Sequence, residues 1–186
     1  MKNSEQTRTL DQVARLLRLS QPFSKLNDEF LRRIAAIVRF VSYQTGISVY
    51  EMGTPAMDMY IIVSGKVQHC LSLGAGSKDQ ISVLKDGDLF GWAGLFKSEP
   101  YGHAKRLAKT VCLEEAELIV LNCLELADAV KTDTQAYDLM MSSFVDLIVR
   151  EFSVPRTWLG FVDLEGKLVR NEVDAASANA DKRFLY

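Results

Sequence analysis

Histidine and cysteine side chains can ligate a metal or act as nucleophiles, and this chain has two histidines and three cysteines. His69 and His103 fall in separate predicted strands, so they do not form the cluster that a histidine-rich metal site requires. Cys70, Cys112 and Cys123 are far apart with no CxxC pair, which favours reduced thiols packed in strands over a disulfide or zinc frame. Neither a GxSxG turn nor a P-loop occurs. We therefore predict a protein that is not an enzyme and holds no metal.

Composition and charge favour a single soluble domain. The chain has 186 residues, of which 48% are hydrophobic and 25% are charged, and its formal charge is −2. Lys and Arg are spread along the chain rather than gathered in a basic stripe, which disfavours direct DNA binding. The segment Met1–Leu10 is polar, and no run of about 18 apolar residues occurs. We expect a cytoplasmic protein that does not contact the membrane.

The elements that position these side chains fall into four parts of one domain. Residues 1–39 predict two short helices, the second capped by Asn27, and residues 40–121 predict β-structure. Residues 122–153 return to helical spacing, with a long helix from Thr134 to Phe152 that Thr132 or Asp133 can cap. Residues 154–186 predict a hairpin around Gly166 and then a frayed tail.

The middle part consists of short β-type runs separated by glycines at intervals of about eight to twelve residues, as in a sandwich, barrel or jelly roll. The predicted fold is therefore mainly β with flanking helices, a double-stranded β-helix of the jelly-roll type. The predicted strands are Ile47–Tyr50, Met59–Val63, Lys66–Leu73, Gln80–Leu84, Leu89–Phe90, Leu107–Leu113 and Glu117–Leu121.

Three sequence blocks carry a resemblance to a known family. Gly46–Gly53 reads GISVYEMG, Met59–Val67 reads MYIIVSGKV, and Leu84–Gly91 reads LKDGDLFG. Together they resemble the entry hairpin, the "YIIxSGxV" strand and turn, and the "LxxGDxFG" loop of the cyclic-nucleotide-binding domain family. The resemblance covers roughly Leu16 to Phe152, and it implies a β-roll that binds a cyclic nucleotide or another small anionic ligand.

In that family the segment after "FG" is a phosphate-binding cassette, whose backbone N–H groups bind the cyclic phosphate. A glutamate in the cassette accepts the ribose hydroxyl, and an arginine shortly after a proline pairs with the phosphate. Here the glutamate position holds Trp92, and the arginine position holds Tyr101. The resemblance implies that the ligand-binding residues are Phe90, Gly91, Trp92, Ala93, Gly94, Leu95 and Tyr101.

Trp92 cannot accept a hydrogen bond from the ribose hydroxyl, because indole offers no acceptor. Tyr101 cannot form an ion pair with the phosphate, because the phenol is neutral at pH 7. Losing two charged hydrogen bonds, at about 1.5–3 kcal/mol each, weakens binding by roughly two to four decades. If Tyr101 points inward, strand alternation sends His103 and Lys105 inward as well and turns Arg106 outward. We therefore add His103 and Lys105 to the candidate ligand-binding residues, with Lys105 as the substitute cation.

The sequence leaves more than one function open. The first is a sensor or regulatory module that signals through the helix Thr134–Phe152, which we expect to form a homodimer seam or to dock a protein partner. Part of the apolar width of this helix, including Met141 and Val145, is expected to be exposed in a monomer. The alternatives are a ligand-free interaction scaffold in which Trp92 plugs the pocket, and a regulator like the catabolite activator that lacks its own DNA-binding domain.

Overall fold

The computed structural model describes residues 8–71, 80–95, 104–106, 108–152, 161–162 and 168–169 of the chain. The helices are α1 (Leu10–Leu19), α2 (Asp28–Ala35), α3 (Cys123–Val130) and α4 (Thr134–Phe152), with 3₁₀ turns at Gln21–Phe23 and Trp92–Leu95. The strands are β1 (Arg39–Tyr43), β2 (Ser48–Tyr50), β3 (Asp58–Ser64), β4 (Val67–Leu71), β5 (Gln80–Leu84), β6 (Leu89–Phe90), β7 (Ala108–Cys112), β8 (Ala116–Asn122), β9 (Phe161–Val162) and β10 (Leu168–Val169).

Two four-stranded antiparallel sheets form the body of the protein. The strand order is β1-β8-β3-β6 in the first sheet and β2-β7-β4-β5 in the second. β3 and β8 are the inner strands of the first sheet, and both of their faces are covered, which explains the uninterrupted apolar runs Met59–Ile62 and Leu118–Leu121. The predicted class, a mainly β jelly roll with flanking helices, is confirmed.

Alternate side chains of β3 and β8 point to opposite faces, so these two strands contribute to two separate apolar clusters. The roll core lies between the sheets, and the helix core lies between the first sheet and the helices. The roll core consists of Tyr60, Ile62, Val67, Phe90, Cys112, Ala116, Leu118 and Val120. The helix core includes Leu17, Phe23, Phe30, Ile34, Met59, Ile61, Ile119, Leu121, Leu126 and Phe144.

Polar caps begin the helices where the sequence predicts them. The Asn27 side chain accepts a hydrogen bond from the Phe30 amide at 2.8 Å, which confirms it as the N-cap of α2. Of the two candidate caps for α4, Asp133 is the one used, because its carboxylate accepts from the Ala136 amide at 3.0 Å. Each such cap satisfies a backbone donor that the helix itself leaves unpaired.

The burial of α4 differs from the sequence-based expectation. Val145 is only 2% exposed, and Met141 is partly buried against the helix core. Of the apolar width that we expect to stay partly exposed, Val145 is therefore buried. Helical periodicity identifies which residues share a face, but it does not reveal how wide a surface the rest of the chain covers. Among the α4 side chains that the structure describes, the large apolar one that is exposed is Leu139, at 39%.

The C-terminal part contains the predicted hairpin. β9 and β10 pair antiparallel, with Phe161 opposite Val169 and Val162 opposite Leu168. Gly166, around which the turn is predicted, and the tail after Asn171 lie outside the described residues. The division of the chain into four parts stays a prediction. Within the part of the chain that the structure describes, no helix is both long enough and apolar enough to span a bilayer.

Candidate ligand-binding site

A tight turn follows β6 at the point where the cassette is predicted. Gly91 has a φ of +79°, a value that favours glycine, and Trp92–Leu95 then form one 3₁₀ turn. A Cβ atom on Gly94 would lie 1.9 Å from the Ala56 carbonyl oxygen and 2.9 Å from Cys123 Sγ. Glycine at position 94 therefore lets the turn pack directly on the loop before β3 and on the start of α3. We call residues 91–95 the cassette turn.

Arg106 is the buried cation beside the cassette turn. It is 5% exposed, and it donates hydrogen bonds from Nη1 to the Gly91 carbonyl oxygen at 2.7 Å and from Nη2 to the Asp58 carbonyl oxygen at 2.6 Å. Its guanidinium carbon lies 4.2 Å from the centre of the Tyr50 ring, which is a cation–π contact. The Nε atom is buried without a partner.

Both hydrogen-bond partners of Arg106 are neutral carbonyl groups. None of the ion pairs between described residues involves it. Arg106 is also the one described residue that is both buried and charged at neutral pH. A buried ion without a counter-ion normally costs several kcal/mol, so an anion near Nε would stabilise this arrangement.

The position of Arg106 corrects the register expected from the sequence, in which Lys105 points inward and Arg106 outward. Lys105 is exposed, and its side chain lies on the opposite face of the segment from Arg106. The cause is backbone pairing with the loop before β3. The Arg106 amide donates to the Thr54 carbonyl at 2.8 Å, and the Ala56 amide donates to the Ala104 carbonyl at 2.7 Å.

The alternation of residues along β7 is a sequence signal that predicts the burial of Arg106. In β7 the buried residues are Ala108, Thr110 and Cys112, and Lys109 is exposed. Extending this alternation backwards by two residues places Arg106 on the buried face. The register predicted from the sequence instead starts from Tyr101, which precedes the segment that pairs with the loop near Thr54.

Trp92 lies away from the interior of the roll. Its side chain is partly buried and packs against the helix core, as does that of Leu95. It therefore does not plug the roll core in the way that the ligand-free scaffold requires. The cassette turn is instead in contact with the cluster to which α3 and α4 contribute.

The structure brings some of the predicted site residues together. Phe90 lies in the roll core, stacked on Tyr60 with ring centres 5.2 Å apart and planes at 15°. Gly91, Trp92, Ala93, Gly94 and Leu95 follow it in the cassette turn. Tyr101 and His103 lie outside the described residues. Whether any of these residues binds a ligand stays a prediction.

A row of polar side chains crosses the second sheet near Arg106. Tyr50 pairs with Thr110, Thr110 with His69, and His69 with Ser82. Burial lowers the pKa of His69 to about 4, so its imidazole is neutral at pH 7. Thr110 is fully buried, and its hydroxyl has no hydrogen-bond partner. Burial also raises the pKa of Tyr60 to about 12. These side chains beside Arg106 are therefore polar but uncharged at pH 7.

The cysteines are free thiols, as expected. Cys70 and Cys112 lie in strands, but Cys123 begins α3, which corrects its predicted place in a strand. Burial raises the pKa of Cys123 to about 12, so this thiol stays protonated and unreactive at neutral pH. Among the described residues, no three His, Cys, Asp or Glu side chains are grouped as a metal site would need.

Residues 40–133, about half of the chain, match the family described as the cyclic nucleotide-binding domain. Together with the two-sheet roll and the turn after β6, this match identifies the chain as a member of that family. No curated protein matches the sequence.

Solved structures with the same fold include domains of several regulators. The sensor domain of the transcriptional regulator DNR from Pseudomonas aeruginosa is 18% identical, with a TM-score of 0.59, and the match covers 78% of this chain and 94% of that one. The Thermus thermophilus catabolite activator protein is 21% identical, with a TM-score of 0.57, and the match covers 72% of this chain and 59% of that one. A cAMP-binding acyltransferase from Mycobacterium smegmatis is 19% identical, with a TM-score of 0.54 and coverages of 77% and 42%. At these identities the likeness establishes the fold.

Proposed function

We propose that the protein is a non-catalytic, cytoplasmic sensor module that binds a small anionic ligand between the cassette turn and Arg106. The observation that carries this proposal is the environment of Arg106, which is buried with two neutral partners and an unpaired Nε. An unpaired buried donor costs about 1–3 kcal/mol. An anionic group on a ligand would offset that cost and the cost of the buried charge together.

An ordinary cyclic nucleotide should bind weakly at this site. Trp92 stands where the family has a glutamate, so the ribose hydroxyl has no carboxylate partner. Two of the five N–H groups of Arg106 already donate to Gly91 and Asp58, so a ligand phosphate would meet a guanidinium that is partly occupied. We expect dissociation constants for cyclic AMP and cyclic GMP above about 10 µM, or weaker than roughly −7 kcal/mol.

The test is a thermal-shift and calorimetry series with cyclic AMP, cyclic GMP, a cyclic dinucleotide and inorganic phosphate. A ligand at one hundred times its dissociation constant adds about 2.7 kcal/mol to folding stability. Arg106→Met should abolish the shift produced by any anion that binds, and Lys105→Met is the matched control because Lys105 is exposed on the other face. Equal binding by Arg106→Met and the wild type would refute the anion site.

The signal is proposed to leave the site through the helices. The contact of Trp92 and Leu95 with the helix core supports this route, because movement of the cassette turn would alter packing against α3 and α4.

We also propose that α4 carries a homodimer seam or a protein-docking surface, centred on Leu139 rather than on the buried Val145. Leu139 borders a shallow groove with Thr134, Gln135, Asp138 and Ser142. Leu139→Glu should lower the sedimentation coefficient of a dimer at micromolar concentration or abolish capture of a partner. Leu124→Glu, equally exposed on α3, is the control. A wild-type monomer that captures no partner would remove the case for the seam.

A ligand-free interaction scaffold is less well supported, because Trp92 packs against the helix core and leaves the roll core to other side chains. A role as a regulator that acts through a separate DNA-binding protein is compatible with the sensor proposal. It differs only in the identity of the partner.

A further inference from the structure

Arg106 joins two parts of the roll that are far apart in the sequence. Its Nη1 donates to Gly91 at the start of the cassette turn, and its Nη2 donates to Asp58 at the start of β3. The two bonds are short, at 2.7 and 2.6 Å, and one planar guanidinium makes both of them. We call this pair of bonds the arginine bridge. It ties the cassette turn to the start of β3, an inner strand of the sheet that faces the helices.

The same Asp58 is connected to α3 through its side chain. Its Oδ1 accepts a hydrogen bond from Asn122 Nδ2 at 3.3 Å. Asn122 is the N-cap of α3, and its Oδ1 accepts from the amides of Leu124 and Glu125 at 3.0 and 3.2 Å. Continuous hydrogen bonds and covalent bonds therefore lead from the cassette turn, through Arg106 and Asp58, to the first turn of α3.

An anion can break the arginine bridge, because both acceptors of Arg106 are neutral backbone carbonyl groups. The Gly91 and Asp58 carbonyls are neutral acceptors, whereas a phosphate or carboxylate is charged and can accept two parallel N–H bonds from one guanidinium. A phosphate or carboxylate that reaches the guanidinium therefore competes favourably with the Gly91 and Asp58 carbonyls. No carboxylate of the described residues pairs with Arg106, so such an anion displaces no ion pair among them.

We infer that Arg106 is a positioning residue that holds the cassette turn against β3 while the site is free, and that the Asp58–Asn122 hydrogen bond couples this bridge to the first turn of α3. The inference rests on the proposed anion site only for the event that opens the bridge. The bridge and its coupling are properties of the free protein, so they can be tested without a ligand.

The test is amide hydrogen exchange of the full chain, followed by mass spectrometry, in four proteins. They are the wild type, Arg106→Met, Asn122→Ser and the double variant. Serine also has a side-chain oxygen that can cap a helix, but it lacks the side-chain amide that donates a hydrogen bond to Asp58. In the wild-type background, Arg106→Met should speed exchange about tenfold or more in both Trp92–Leu95 and the first turn of α3. In the Asn122→Ser background, Arg106→Met should speed exchange in Trp92–Leu95 alone.

Two controls separate the coupling from a general loss of stability. Asn27→Ser makes the same change at the N-cap of α2, and it should leave the cassette turn and the response to Arg106→Met unaltered. Amides of α1 should exchange at wild-type rates in every folded variant. If Arg106→Met does not fold, Arg106→Lys replaces it, because lysine keeps the charge but lacks the planar fork that donates to both carbonyls.

The outcomes are distinct. Wild-type exchange in Trp92–Leu95 of a folded Arg106 variant would overturn the bridge. Faster exchange in α3 by the same factor in both backgrounds would overturn the coupling through Asn122. Failure of every anion to bind in calorimetry would refute the proposed function, but it would leave the exchange results as they stand.

Discussion

Mild acid should destabilise the fold through His69. Burial holds the pKa of this imidazole at about 4, below its ordinary value of 6.5, because the charged form is poorly solvated between the sheets. The unfolded chain therefore binds a proton more readily than the folded chain does. The contribution of His69 to stability is complete above about pH 6.5 and is lost as the pH falls towards 4. Complete loss amounts to about 3 kcal/mol, and about 2 kcal/mol is lost by pH 5.

The assay is urea unfolding of the wild type, His69→Gln and His103→Gln at pH 7.5 and pH 5. Carboxylates titrate in all three proteins, so the comparison between variants isolates the imidazole. The wild type and His103→Gln should lose about 2 kcal/mol more between the two pH values than His69→Gln does. An equal loss in all three would show that His69 is already protonated or solvated in the fold, and it would refute the reasoning.

Further predictions concern the cassette turn and β7, the strand that follows Arg106 in the chain. Gly94→Ala should lower the free energy of unfolding by about 1–3 kcal/mol in urea, because its methyl group would overlap a backbone carbonyl. Gly46→Ala has open space around it and should cost only the strain of its positive φ, so equal losses would contradict the packing argument. Thr110→Val should raise that free energy by about 1 kcal/mol by removing an unpaired buried hydroxyl, whereas a loss would mean that the hydroxyl is bonded. Trp92→Glu should strengthen cyclic AMP binding by about one to two decades in calorimetry, because it supplies a carboxylate for the ribose hydroxyl. An unchanged affinity would mean that other groups block the pocket.

Most of the architecture could be predicted because its signals are local. Glycines with positive φ, such as Gly65 and Gly87, separate strands whose alternation can be read directly. Asn27 and Asp133 mark helix starts through short-range hydrogen bonds. Each of these features depends on residues that are close in the sequence, so no knowledge of the tertiary structure is needed to find them.

The errors in the site and in α4 arise from contacts between distant residues. The inward face of the Ala104–Arg106 segment is set by pairing with the loop near Thr54, which lies about fifty residues earlier in the chain. The burial of Val145 likewise depends on neighbours that helical periodicity does not identify. Local patterns therefore located the candidate site, but they did not identify its buried cation.

The placement of Trp92 also gives the protein an intrinsic optical reporter. The chain has two tryptophans, and Trp92 lies in the cassette turn and packs against the helix core. Indole emission shifts to longer wavelengths as water gains access to the ring. With Trp158 replaced by phenylalanine, the emission wavelength of Trp92 would report changes in the packing of the cassette turn against the helix core in real time. Rates of rearrangement could then be measured by stopped flow without attaching a dye to the protein.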